Sequence, residues 1–177
     1  MLRALIVLLL MAWTAAGARA EVAEVTIPAD GIALRARLVR PASAPIRAPV
    51  VALHGCGGPF PSRDRQWAEI LTGAGYPVLF PDSFGSRGLG SQCKVTDRQV
   101  RPGRERRADT VAAVQWLESE RLSPVGGAFV MGWSNGGSTV LAAAAQGVIP
   151  QGAVRGFVAF YPGCRIDATR ADWAPSA

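Results

Sequence analysis

The chain has 177 residues, 49% of them hydrophobic and 18% charged, with a formal net charge of +6. Length and apolar content suit one globular domain and exclude collagen-like, coiled-coil and disordered classes. His54 is the single histidine, so no site needing two histidine ligands can be built from this sequence.

Arg3, the apolar run from Ala4 to Trp13, and the small residues of Ala18-Arg19-Ala20 form the pattern of a secretory signal peptide cleaved after Ala20. The run is too short for a comfortable bilayer span, so no stable membrane insertion is expected once it is removed. Residues 1–20 are therefore a signal peptide, residues 21–177 a single domain, and the expected location is secreted or periplasmic. Nineteen basic residues, of which only Lys94 is a lysine, are scattered and accompany no nucleic-acid motif; no nucleic-acid partner is expected. Cys56, Cys93 and Cys164 are spaced too widely for a CxxC metal site, and an oxidising compartment permits one disulfide. Three pairings are open, with Cys93–Cys164 favoured because Cys56 lies within a loop motif.

Glu24–Ile27 and Ile32–Val39 alternate apolar and polar residues around Asp30-Gly31, which predicts an opening β-hairpin. Val50–Leu53 is wholly apolar, as expected of a strand buried on both faces. Arg65–Ala74 has helical spacing and stops at Gly75, and Pro77–Phe80 reads as a second buried strand. A loop rich in Gly and Ser runs from Asp82 to about Pro102. Gly103–Arg121 reads as a long amphipathic helix with Val111, Val114, Gln115, Leu117 and Leu122 near one stripe. Ala128–Met131 is a third central strand, Asn135–Gln146 a helix of small residues ended by Gly147, and Phe157–Tyr161 a further strand. This alternation predicts an α/β fold with a mostly parallel sheet flanked by helices.

Gly132-Trp133-Ser134-Asn135-Gly136-Gly137 is a G-x-S-x-G pattern between a strand and a helix, the context in which the serine hydroxyl projects above a sheet. The helix N-terminus behind it offers amides and a positive dipole end to a developing oxyanion. His54-Gly55-Cys56-Gly57-Gly58-Pro59 follows the strand Val50–Leu53, where acyl transfer needs a second backbone N–H. The amide of Cys56 or Gly57 would supply it. His54 itself stands where that loop begins and reads as a structural residue, not a general base.

These two motifs, with Gly75-Tyr76-Pro77-Val78-Leu79, Pro81-Asp82-Ser83-Phe84-Gly85-Ser86-Arg87-Gly88 and Tyr161-Pro162-Gly163-Cys164, resemble the dienelactone hydrolase family of α/β-hydrolases. The likeness runs from about Val50 to Cys164. It implies an exported serine hydrolase that cleaves carboxylic esters or lactones through an acyl-enzyme on Ser134, with the amides of Cys56 and Asn135 as oxyanion donors. It implies neither a metal nor an organic cofactor. The founding members carry Cys where this sequence has Ser134, which moves the expectation from a dienelactone toward a general serine esterase.

In α/β-hydrolases the triad runs Ser, Asp or Glu, then His along the chain. No histidine follows Ser134, and Asp167 and Asp172 come one strand too early for the family's acid. The resemblance therefore implies an apparently C-terminally truncated domain, lacking the last strands and helices. The alternative is an inactive relative that binds a ligand or partner through the same pocket. Arg98, Arg101, Arg104, Arg106 and Arg107 cluster before and within the long helix. They would either draw a carboxylate substrate, with Arg101 as a substrate-binding candidate, or form a solvated loop partnered by Glu105 and Asp109. Trp133 would line an acyl pocket or pack beneath the serine turn. Ser83 and Arg87 follow Phe80 on the face expected to be active.

Overall fold

The computed structural model describes residues 19–43, 46–123, 126–163 and 174–175. The expected signal peptide falls almost wholly outside them, as do Cys164, Asp167 and Asp172. Strands β1 (Glu21–Ala29) and β2 (Ile32–Arg40) form the expected hairpin, in register from Glu21 opposite Arg40 to Ala29 opposite Ile32. Its two-residue turn puts Asp30 at φ 22° and Gly31 at φ 76°, the positive angles that let a tight turn follow the strand twist.

The remaining strands are β3 (Val50–Leu53), β4 (Val78–Pro81), β5 (Ala128–Trp133) and β6 (Val154–Phe160). They form one sheet in the order β1-β2-β4-β3-β5-β6, antiparallel as far as β4 and parallel from β4 to β6. Successive side chains of a strand face opposite sides. Val51 and Leu53 accordingly join one core cluster, and Val50 and Ala52 the other. Helices α2 (Glu105–Ser119) and α3 (Asn135–Ala143) cover the first cluster through Val114, Leu117 and Val140. Helix α1 (Pro61–Gly73) covers the second through Ala68, Trp67 and Leu71. Burying Val114 and Leu117 is worth about 2 kcal/mol each relative to exposure.

Several boundaries differ from those read in the sequence, each for a local reason. Helix α1 begins at Pro61, before the predicted Arg65. Proline is pre-set for a first helical turn, and the Asp64 carboxylate accepts the Phe60 N–H at 3.0 Å. Strand β5 continues to Trp133 because β6, which starts at Val154, pairs with it along its length. Helix α3 ends at Ala143, ahead of Gln146. On α2 the buried stripe is Arg106, Asp109, Thr110, Ala113, Val114 and Leu117. Gln115, predicted to share the stripe, points to solvent.

The topology positions the site. Strands β3 and β5 are parallel neighbours, with Leu53 opposite Gly132, so the loops that follow their carboxyl ends emerge side by side. Ligands of open α/β sheets bind at such ends.

Candidate active site

Ser134 stands between β5 and α3 with φ 54° and ψ −115°. A serine held at positive φ is strained, and such strain concentrates at functional turns. What fixes it is the backbone around it. The Ser134 N–H donates to the Phe160 carbonyl at 3.0 Å, and the Ser138 N–H donates to the Ser134 carbonyl at 2.9 Å. Gly136 explains the glycine after the serine: a Cβ there would lie 2.2 Å from the Leu53 carbonyl oxygen and 2.6 Å from that of His54. Only glycine lets α3 approach the end of β3 so closely. Ser134 remains half-buried, and Asn135 opens α3, where first-turn amides have no acceptor within the helix.

The loop after β3 lies against this turn. A Cβ built on Gly55 would stand 3.4 Å from the Trp133 carbonyl oxygen and 3.8 Å from the Ser134 Cβ. Cys56 is thus brought to the neighbourhood of Ser134, and its carbonyl accepts the Gln92 N–H at 2.7 Å. It also forms a disulfide with Cys93. The favoured pairing with Cys164 is therefore corrected. The irregular segment after β4 folds back across the glycine loop, a path that hydrophobic periodicity does not reveal. Arg98 secures that segment by donating from Nε to the Gln92 carbonyl at 2.9 Å.

His54 is 3% exposed and lies edge-on to Phe84, with ring centroids 4.7 Å apart. Its Nδ1 is 2.8 Å from the Gly55 carbonyl oxygen. A carbonyl only accepts, so Nδ1 carries the proton. Nε2 then holds a lone pair, has no hydrogen-bond partner, and sits 3.8 Å from Asp82 Oδ1. Burial, followed by the positive charge of Arg106, lowers the His54 pKa to about 3, so the ring is neutral at physiological pH. This fits the structural role read in the sequence.

Trp133 is buried, stacked on Phe160 at 5.9 Å between centroids and covered by the Arg63 guanidinium at 4.3 Å. Arg63 is itself held by Asp64 at 2.7 Å. Trp133 thus packs beneath the serine turn. Arg101 spends its guanidinium on its own loop, donating to the Arg98 carbonyl at 3.0 Å and to Asp97 at 3.3 Å. The Arg cluster is not uniformly solvated. Arg101, Arg98 and Arg104 line an open depression with Val95 and Asp97, whereas Arg106 is 1% exposed.

Arg106 is the residue that sequence reasoning missed. From the start of α2 it donates to the Asn135 side-chain oxygen through Nη1 and to the His54 carbonyl at 2.7 Å through Nη2, with its Cζ 5.1 Å from the Phe84 ring centroid. Burial pushes its pKa down to about 9, opposed by the charges of Asp109 and Asp82; it stays charged at neutral pH. Arg87 and Asp109 form a second, part-buried connection, a two-bond fork at 2.8 Å in both arms, while Arg87 also reaches the Ser83 carbonyl. Asp109 is thus a partner of Arg87, not of the arginine loop. A signal for Arg106 existed: extending the Ala113–Leu117 stripe back by seven residues places Arg106 on the inward face.

A strand, a serine forced to positive φ, a helix N-terminus and an adjoining glycine loop define an α/β-hydrolase. The model of the prolyl oligopeptidase family matches residues 62–154, more than half of the chain, and the chain belongs to that family. Among solved structures it is similar to a dienelactone hydrolase from Anabaena variabilis at 23% identity and TM-score 0.57, over 71% of this chain and 57% of that one. An esterase from Pyrococcus furiosus is similar at 23% identity and TM-score 0.59, over 81% and 51%. A hyperthermophilic esterase from Pyrobaculum calidifontis follows at 24% and 0.60, over 84% and 47%. These likenesses show the fold, and the chain spans about half the length of the structures it matches. No curated protein matches it. Among the described residues no helix is long and apolar enough to cross a membrane.

Proposed function

We propose that this α/β-hydrolase is an exported serine hydrolase of carboxylic esters or lactones, in which Ser134 attacks the carbonyl carbon and forms an acyl-enzyme. The observation that carries the reading is the backbone of Ser134, held at φ 54° between a buried strand and the start of α3. As the tetrahedral intermediate forms, negative charge grows on the carbonyl oxygen, and amides aimed at that oxygen lower the barrier. The Cys56 and Asn135 amides are assigned this role, one from each of the two adjoining loops. Collapse of the intermediate breaks the ester C–O bond and expels the alcohol, which takes up the proton the serine gave to the base. Water then hydrolyses the acyl-serine to release the acid and restore the hydroxyl.

A base must take the Ser134 proton. His54 precedes the nucleophile, is held neutral, and turns its protonated nitrogen to Gly55. The proposal therefore does not assign the base to His54. Export is supported by the Cys56–Cys93 disulfide, because such bonds persist in oxidising compartments. The family match favours a second reading, cleavage of a peptide bond by the same serine. Parallel assays with p-nitrophenyl acetate and a prolyl-amide substrate test both, using the protein as its native cell makes it. Ester turnover abolished by S134A supports the first reading, and turnover of the amide alone supports the second. Ester turnover unchanged in S134A would overturn the serine mechanism.

A further inference from the structure

Among the described residues Arg106 is the largest fully buried side chain, yet its charge is poorly compensated. Removing a cation from water is costly, and a packed apolar side chain of similar size commonly serves a core as well or better. Among the described residues no carboxylate lies within ion-pair distance of it. Asp109 faces Arg87 at 2.8 Å, and Asp82 faces Arg35 at 4.0 Å. Its Nε has no hydrogen-bond partner. Stability alone is a poor account of such a residue.

The two acceptors it does hold explain it better. Nη2 donates to the carbonyl of His54, two residues before Cys56, and Nη1 donates to the side chain of Asn135, the residue after Ser134. The Phe84 ring lies beneath the guanidinium, 5.1 Å from Cζ, and the Thr110 hydroxyl donates to the Arg106 carbonyl at 2.8 Å. We propose that Arg106 is a positioning residue for acyl transfer, its planar fork setting the distance between the Cys56 amide and the Asn135 amide. This rests on the serine-hydrolase reading above. Lysine cannot replace it, because a single ammonium on a flexible stem does not present two donors in a fixed fork.

Three variants of the full natural protein test this: R106M, which keeps bulk without charge, R106K, which keeps charge without the fork, and N135A, which removes one acceptor but leaves the amide. Two buried reporters exist, the Gln92 amide bonded to the Cys56 carbonyl and the Ser138 amide bonded to the Ser134 carbonyl. In R106M the proposal expects these two amides to exchange hydrogen at least about 10-fold faster, with melting temperature unchanged or raised. With p-nitrophenyl acetate, kcat falls about 100-fold while KM stays within about threefold, the signature of lost transition-state placement. R106K and N135A fall between R106M and wild type in both readouts, and give the answer if R106M does not fold. Faster exchange spread uniformly over the whole domain would overturn the proposal, as would wild-type kcat in a folded R106M. An inert wild-type protein would overturn the serine-hydrolase reading together with the catalytic half of this one; normal wild-type turnover with an unaffected R106M would overturn this one alone.

Discussion

The disulfide offers a quantitative prediction that also bears on the site. Cys56 and Cys93 are 37 residues apart in sequence, and their bond closes that loop in the unfolded chain. The chain-entropy relation gives about 4 kcal/mol of stabilisation at 25 °C for a loop of this length. For a domain of this size that corresponds to a melting temperature roughly 10 °C lower in the double variant C56S/C93S. The double variant is preferred to a single one, because it leaves no partnerless thiol to pair with Cys164. The Gln92–Cys56 hydrogen bond survives the substitution, so the glycine loop loosens without detaching, and the drop is cooperative. Differential scanning calorimetry of both proteins, with peptide mapping of the wild type under non-reducing conditions, checks the reasoning. An unchanged melting temperature, or a mapped Cys93–Cys164 bond, would refute it.

The buried neutral His54 makes stability depend on pH. Its folded pKa, about 3, lies below the unfolded value of 6.5, so only the unfolded chain gains a proton as pH falls through that window. Its contribution is complete above pH 6.5 and is lost progressively toward pH 3, by about 2 kcal/mol between pH 7 and 5. Urea midpoints of wild type and H54N across that range measure it; equal slopes would contradict the burial argument. G136A places its Cβ against backbone carbonyls that cannot move aside, and destabilisation of about 3 kcal/mol or more is expected. G57A, with nothing within 4 Å of the added Cβ, stays within about 0.5 kcal/mol by the same urea titration. D109A leaves Arg87 without its two-bond partner and costs about 3 kcal/mol in thermal or urea unfolding, whereas a change below about 1 kcal/mol would show that the fork is solvated.

What the sequence disclosed and what it hid follow one physical division. Val50–Leu53 was legible to the residue because a strand buried on both faces must be apolar throughout. The Asp30-Gly31 turn was legible because few residue pairs accept two positive φ angles. The serine turn was legible because its chemistry needs glycines within a few positions of Ser134. Long-range pairing was not. Arg106 finds Asn135 and His54 at separations of 29 and 52 residues, so a local run rich in arginine reads as a carboxylate-attracting cluster or a solvated loop. The segment after β4 carries no period, and neither its return across the glycine loop nor the Cys56–Cys93 bond could be read from it. Gln115 was misplaced because the stripe was carried on by helical spacing from Val111, which is only half-buried, so it ran past the edge of the inward face. The inward face also carries Arg106, which reaches Asn135 and His54, Asp109, which is held by Arg87, and Thr110, which donates to the Arg106 carbonyl.

The account turns on Ser134 being the nucleophile. The most direct measurement is labelling of the natural protein with a fluorophosphonate, followed by peptide mass mapping of the adduct. The account predicts one adduct, on the peptide containing Gly132-Trp133-Ser134-Asn135-Gly136, absent in S134A. A folded protein that takes no label, or takes it on another residue, would contradict the central claim.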